Sequence, residues 1–245
     1  MPEPQIVIPN LEGYHNKDLD NTIERLKKSK SYEDLSTIII CPTRGVIPAV
    51  VVQSWQGLMR PMNQKVIGPI FAIGMEVGEA YNQMINSILA NPELSKYKYI
   101  LTIEEDNAPP ADGLLKLYES MDKYDVVGGL YWTKGPGGQP MIYGDPKVMP
   151  MNFIPQQPIP DTVQPANGLG MGFNLYKMEI FKNMKGPWFK TVQEVVPGVG
   201  AMAYTQDLWF YQEAAKLGYK FACDNRVKVG HFDYAGACGV EGMMW

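Results

Sequence analysis

Apolar residues recur along this chain in two rhythms. Short, continuous, β-branched runs occupy residues 35–41 (Leu-Ser-Thr-Ile-Ile-Ile-Cys), 99–103 and 125–130, the last extended by Tyr131 and Trp132. Runs of this length bounded by polar or turn residues read as buried strands. Between them, apolar residues return every three or four positions. Leu19, Ile23 and Leu26 mark a helix over residues 18–29, closed by lysines at 27, 28 and 30 that suit a helix C-terminus. Residues 48–59, 76–89, 111–121 and 208–217 carry further helical stripes; Asn91-Pro92 ends one and Gly218 another. Residues 65–73 read as a strand region broken by Gly68-Pro69; residues 219–222 begin a late strand, and 226–229 lead to Gly230-His231. Strands alternating with helices in this way predict an α/β fold with a mostly parallel sheet between helices.

Other stretches obey neither rhythm. Residues 5–9 read as an N-terminal strand or arm. Residues 134–167 open with Gly135-Pro136-Gly137-Gly138 and are rich in Pro, Gln and Met, with a short hairpin expected over 141–148. A long loop of this kind inside a compact domain is usually functional. Asn167-Gly168-Leu169-Gly170-Met171-Gly172 lacks the Lys-Ser/Thr of a P-loop and the strand–helix setting of a dinucleotide fingerprint. Glycines so spaced suit close approach of backbone to a ligand or a strand. A short helix is expected over 177–183, and Pro187-Trp188-Phe189 reads as an exposed aromatic turn. The tail, 232–245, carries no secondary-structure signal, and no internal repeat is visible.

Composition narrows the class. The 245 residues are 45% hydrophobic and 20% charged, ordinary for a globular protein. A net charge of −4 argues against a polyanion binder held by bulk charge. Cys41, Cys223 and Cys238 are widely spaced without a CxxC, which argues against a zinc knuckle or disulfide framework. No signal peptide or membrane span is visible, and the cytoplasm is the expected compartment.

The most informative chemistry lies where strand 99–103 meets Glu104-Glu105-Asp106. Three adjacent carboxylates repel one another unless a cation sits there, and hard oxygens suit Mg²⁺ or Mn²⁺. In open α/β sheets, ligands bind beyond the carboxyl ends of strands. The competing reading is a solvated acidic turn. Thr43-Arg44 end another strand, where Arg44 faces a base or phosphate or is simply a surface arginine. Asp207 opens a helix, either as an N-cap or as a catalytic carboxylate. His231 ends the last strand, as a metal ligand or a structural residue.

In order and spacing these features resemble the GT-A glycosyltransferases, family 2-like enzymes above all, over roughly residues 35–233. Ile-Leu-Thr-Ile-Glu-Glu-Asp-Asn-Ala-Pro-Pro (100–110) is similar to the strand and DxD motif. Residues 167–181 and 205–232 are similar to the segment before the acidic motif and to the acidic motif, helix, strand and closing histidine. The chain departs from the pattern at Glu104, where the motif has Asp, and at Gln206-Asp207, where it has Glu-Asp.

The resemblance implies a GT-A fold with an N-terminal arm and helix (1–34), a transferase domain (35–233) and a tail or lid (234–245). It implies transfer of a sugar from a nucleotide-sugar donor to a hydroxyl acceptor, whether glycan, lipid, protein or nucleic-acid base, with a divalent cation, Mn²⁺ or Mg²⁺, as Lewis acid. Asp207 corresponds to the base of an inverting displacement, and Asp106, His231 and Glu104 to the metal shell. Thr43, Arg44, Glu104 and Glu105 correspond to the donor site, and Trp132 and Trp188 are candidate acceptor contacts. Residues 134–166 and the tail are candidate lids. A retaining transferase, a nucleotidyltransferase and a non-catalytic binding protein of the same fold are the alternatives.

Overall fold

The computed structural model describes residues 17–28, 33–135, 137–196, 200–233 and 243–244. In chain order the elements are α1 (Lys17–Lys28), β1 (Thr37–Thr43), α2 (Ala49–Gly57), β2 (Val66–Ile73), α3 (Val77–Ala90), β3 (Tyr99–Ile103), β4 (Asn107–Ala108), α4 (Gly113–Glu119), β5 (Val126–Leu130), β6 (Ile142–Tyr143) and β7 (Val163–Ala166). They continue with β8 (Gly168–Leu169), β9 (Phe173–Lys177), α5 (Met178–Asn183), β10 (Val192–Val196), β11 (Gly200–Tyr204), α6 (Gln206–Lys216), β12 (Phe221–Lys228), β13 (Gly230–Phe232) and β14 (Met243–Met244).

Seven strands form the central sheet in the order β2-β1-β3-β9-β5-β12-β7. β1 pairs in parallel with β2 and β3, as β12 does with β5. β9 and β7 run antiparallel to their neighbours. Alternation along β1 shows why both faces are covered. Ile38 and Ile40 join one core, with Tyr81, Ile85 and Ile88 of α3 and Phe210 and Tyr211 of α6. Ile39 and Cys41 join the other, with Leu26 of α1 and Leu114, Leu117 and Tyr118 of α4. A strand buried on both faces must be apolar at every position, which is the continuous run seen in the sequence.

Several expectations change in three dimensions. Gly68-Pro69 does not break its strand: β2 runs through it with an irregular register against β1 between Ile38 and Ile40. Gly68 has φ +104° there, and a Cβ on it would collide with the Ile39 carbonyl oxygen. The late strand begun near residue 219 is β12, Phe221–Lys228, and the short β13 follows it. Over 141–148 there is no hairpin; Ile142 and Tyr143 pair instead with Leu169 and Gly168. The β10–β11 hairpin was not anticipated. Within the tail, Met243–Met244 pairs with β13. The 5–9 arm and Cys238 lie outside the described residues; Cys41 and Cys223 are buried free thiols.

Candidate functional site

β1 and β3 are parallel neighbours, so their carboxyl ends deliver Thr43-Arg44 and Glu104-Glu105-Asp106 to one edge. After Ile103 the chain is held from both sides. The Trp55 indole N–H of α2 donates to the Asn107 carbonyl at 2.8 Å, and the Ser54 hydroxyl to the Pro109 carbonyl at 2.7 Å. β13 then pairs with β4, setting His231 opposite Asn107, while the Phe232 amide donates to the Asp106 carbonyl at 2.7 Å. β13 and the acidic run thus become neighbours although 125 positions separate Asp106 from His231.

The three acids take different roles. Glu105 is buried and points back to β1, accepting from the Thr43 hydroxyl at 2.6 Å and the Arg44 amide at 2.8 Å, and pairing with the Arg44 guanidinium. Burial raises its pKa, but the Thr43 and Arg44 contacts outweigh this and hold it below the usual glutamate value. Thr43, Arg44 and Glu105 therefore form one bonded unit, with the Arg44 side chain still largely exposed. Glu104 accepts a long hydrogen bond from the Tyr81 hydroxyl at 3.5 Å. Burial, with the charges of Asp106 and Asp207, pushes its carboxyl up to about 8.

Asp106 faces two nitrogens. Lys134 Nζ lies 2.5 Å from one carboxylate oxygen, and His231 Nε2 lies 3.8 Å from the other. His231 Nδ1 lies 2.7 Å from the Trp132 carbonyl oxygen, which only accepts, so Nδ1 carries the proton and Nε2 presents its lone pair towards Asp106. A ligating histidine is held in this way, by a backbone acceptor on its far nitrogen. Burial, the largest influence, holds the imidazole below its ordinary pKa, against the Trp132 hydrogen bond and the Asp106 charge, which raise it. Among the described residues no three His, Cys, Asp or Glu side chains are gathered closely enough to hold a metal by themselves. Asp106 and His231 fit as two ligands of a hard or borderline cation whose remaining positions a donor would fill.

Lys134 was missed by sequence reasoning. Thr133 pairs with Gln139 and Trp132 bridges Pro140, which holds the lysine that follows them beside Asp106. A lone lysine beginning a glycine-rich turn after a buried strand was the available signal.

Asp207 lies in the first turn of α6 and is buried. Thr205, not Asp207, occupies the N-cap position, which corrects the capping reading. Burial raises the Asp207 pKa against hydrogen bonds from the Thr205 hydroxyl and the Leu208 amide, the latter at 2.9 Å. Its charge is felt at Glu104, Tyr131 and Tyr143, so these groups share one electrostatic environment.

The glycine-spaced segment supplies the wall behind the acids. The Gly172 amide donates to the Tyr131 hydroxyl at 2.8 Å, and its carbonyl accepts from the Glu104 amide at 3.1 Å. A Cβ on Gly172 would lie 2.7 Å from the Asn107 amide oxygen. Approach to a neighbouring strand end is what this spacing serves. Trp132 is half-buried and contributes its carbonyl to His231. Trp188 is corrected: it is 4% exposed, donates to the Met184 carbonyl at 2.8 Å and packs edge-on to Phe181, so it belongs to the core rather than to a ligand surface.

No protein-family model matches the chain, and no curated protein matches it. Solved structures do. The A197 protein from STIV superposes with a TM-score of 0.57 at 18% identity, covering 81% of this chain and 86% of that one. GalNAc-T7, solved with UDP, GalNAc and Mn²⁺, gives 0.52 at 10% identity, covering 94% of this chain and 56% of that one, so the present chain spans about half its length. TarS residues 1–349 from S. aureus, solved with UDP-GlcNAc, gives 0.43 at 13% identity over 77% of this chain and 55% of that one. The chain has a GT-A-like fold: an α/β unit with a mostly parallel central sheet between helices.

Proposed function

We propose that this chain is a glycosyltransferase that takes a sugar from a nucleotide-sugar donor and uses a divalent cation. The observation that carries the reading is the approach of His231 Nε2 to the Asp106 carboxylate, 3.8 Å apart, at the carboxyl end of β3. The Thr43–Arg44–Glu105 unit lies on the adjoining strand end, and the charge of buried Asp207 is felt at Glu104. The GT-A-like fold, and a neighbour solved with UDP, GalNAc and Mn²⁺, support the same reading.

Asp106 and His231 would hold the cation, which neutralises charge on a leaving diphosphate. Arg44, anchored at one end by Glu105 and exposed at the other, presents a cation to the nucleotide side. Asp207 receives the proton of the acceptor hydroxyl as that oxygen bonds to the anomeric carbon. The bond from that carbon to phosphate breaks in the same displacement, and its electron pair leaves with the nucleoside diphosphate. A carboxylate whose pKa burial has raised is a better proton acceptor than an ordinary aspartate. Lys134, tethered on its turn, neutralises Asp106 until a donor and cation arrive.

The test is thermal unfolding with UDP, GDP, CMP and dTDP, each with and without Mn²⁺, beside Asp106→Ala. One nucleotide is expected to raise the midpoint only together with the metal, and the rise is expected to vanish in the variant. At a hundred times the dissociation constant the stabilisation is about 2.7 kcal/mol. The absence of any shift with millimolar nucleotide would refute the donor site.

A further inference from the structure

A cleft of about 490 Å³ is lined by the 151–155 segment, by Tyr204 at the end of β11 and by Gln212 of α6. Met151, Phe153, Ile154 and Pro155 make one wall; Tyr204 and Gln212 stand on the other. Among the described residues none of the side chains lining it is charged. Ile154 and the nearby Met149 are exposed, at 69% and 81%, so the apolar wall continues to the rim. The one remaining lining side chain, Asn152, is already engaged: its amide oxygen accepts from the Ile154 amide at 3.2 Å and its nitrogen reaches the Pro150 carbonyl at 3.3 Å. The Tyr204 hydroxyl and the Gln212 amide have no hydrogen-bond partner among the described residues.

Asp207 does not itself line the cleft, but the cleft wall packs towards the residue that follows it in α6. Gly168 lies between the cleft wall and α6: a Cβ there would sit 3.0 Å from the Phe153 ring and 3.2 Å from Leu208 Cδ2. Leu208 follows Asp207 directly, and Gln212 lies one turn beyond Leu208 on the same helix face. On the other side, Tyr143 bridges Pro155 of the cleft wall, and its phenol feels the Asp207 charge.

We propose that this cleft binds the acceptor and that the acceptor is an uncharged pyranose. The inference rests on the transferase reading above and names the substrate class of the same site. A pyranose presents an apolar C–H face, which suits Phe153 and Pro155, and a rim of hydroxyls. The Gln212 amide both donates and accepts, as does the Tyr204 hydroxyl, so hydroxyls on that rim find partners in either sense. A carboxylated or phosphorylated acceptor would surrender hydration to a wall without a cation. An alkyl chain would leave the Gln212 amide and Tyr204 hydroxyl covered and unpaired. A hydroxyl of the bound ring then faces Asp207, which takes its proton as the new glycosidic bond forms and the nucleoside diphosphate departs with the electron pair.

Saturation-transfer NMR on the whole chain tests this. The probes are methyl glycosides of glucose, galactose, mannose and N-acetylglucosamine, with methyl glucuronide and n-octanol as charged and apolar counterparts. Each is measured at millimolar concentration, with and without a nucleoside diphosphate and Mg²⁺. At least one neutral glycoside is expected to receive saturation on its ring protons. The signal is expected to fall about tenfold in Phe153→Ala and in Gln212→Leu, the scale of one lost contact or hydrogen bond. Both variants should keep the thermal shift with nucleotide and Mn²⁺. The proposal is overturned if no neutral glycoside gives a signal, if the signal survives in both variants, or if glucuronide or octanol binds in its place. A nucleotide shift without glycoside binding removes the cleft assignment and leaves the donor site. Glycoside binding lost in both variants, without any nucleotide shift, keeps a sugar cleft and removes the transferase.

Discussion

Asp207 is held at the head of α6 by the Thr205 hydroxyl and the Leu208 amide, and no cation pairs with it among the described residues. Its folded pKa lies above the unfolded value, so the stability it contributes is complete below about pH 3.9 and is lost as the pH rises through the folded value. Asp207→Asn keeps an oxygen for both donors and no longer titrates. The melting temperature of the variant relative to the native chain is therefore expected to rise between pH 4 and pH 7, measured by thermal unfolding at each. Sugar transfer should fall by about 10²–10⁴-fold, the usual worth of a general base. Lys134 gives a second prediction at this scale. Its ammonium lies on the Asp106 carboxylate and competes with any cation bound there. Lys134→Ala should tighten Mn²⁺ binding in the absence of nucleotide by about tenfold, roughly 1.4 kcal/mol. Titration by electron paramagnetic resonance reads this directly, and an unchanged affinity would remove Lys134 from the site.

The elements position these residues through close approaches that a pattern of apolar positions does not reveal. β9 inserts antiparallel between β3 and β5, and the turn before it brings Gly172 against the Asn107 side chain. Gly172→Ala forces that amide, and β4 with it, away from β13. The variant is expected to lose about 1–3 kcal/mol in urea unfolding and to lose the nucleotide-and-Mn²⁺ shift, because Asp106 and His231 no longer meet. The strand runs and helical stripes were legible because each buried strand or helix face must be apolar at its own period. The β10–β11 hairpin was not read, although Pro197-Gly198 marks a turn in the sequence. The middle of β12 was not read as strand because Asp224 and Asn225 interrupt its apolar run. In the fold Asp224 is buried and forked to Arg226, with contacts of 2.9 and 2.7 Å, so the charge is neutralised inside the sheet.

At the scale of the molecule, Glu119 at the end of α4 joins three elements. It accepts both arms of Arg25 from α1 at 3.0 Å and the Arg226 guanidinium of β12 at 2.9 Å. Arg25 is 43% exposed, so solvent screens its share, and Arg25→Ala is expected to cost less than about 1 kcal/mol. Asp224→Ala removes one of the two carboxylates on Arg226 and leaves Glu119 as the other, so it is expected to cost about 1–3 kcal/mol, both read from urea denaturation. No helix among the described residues is long and apolar enough to cross a membrane.

The sequence by itself determined the alternation of strands and helices, the double-sided burial of β1, β3 and β5, and the presence of an acidic run beyond β3. These follow from local periodicity, which each element carries in its own residues. Thr43, Arg44 and the acids were legible as strand-end chemistry for the same reason. Only the tertiary structure decided which acid faces which partner. Glu105 turns back to Arg44, Asp106 faces His231 and Lys134, and Trp188 disappears into the core. Those outcomes depend on strand order and on pairings such as β4 with β13, which join residues more than a hundred positions apart. No local pattern encodes them, because they are set by how the two cores close around the sheet.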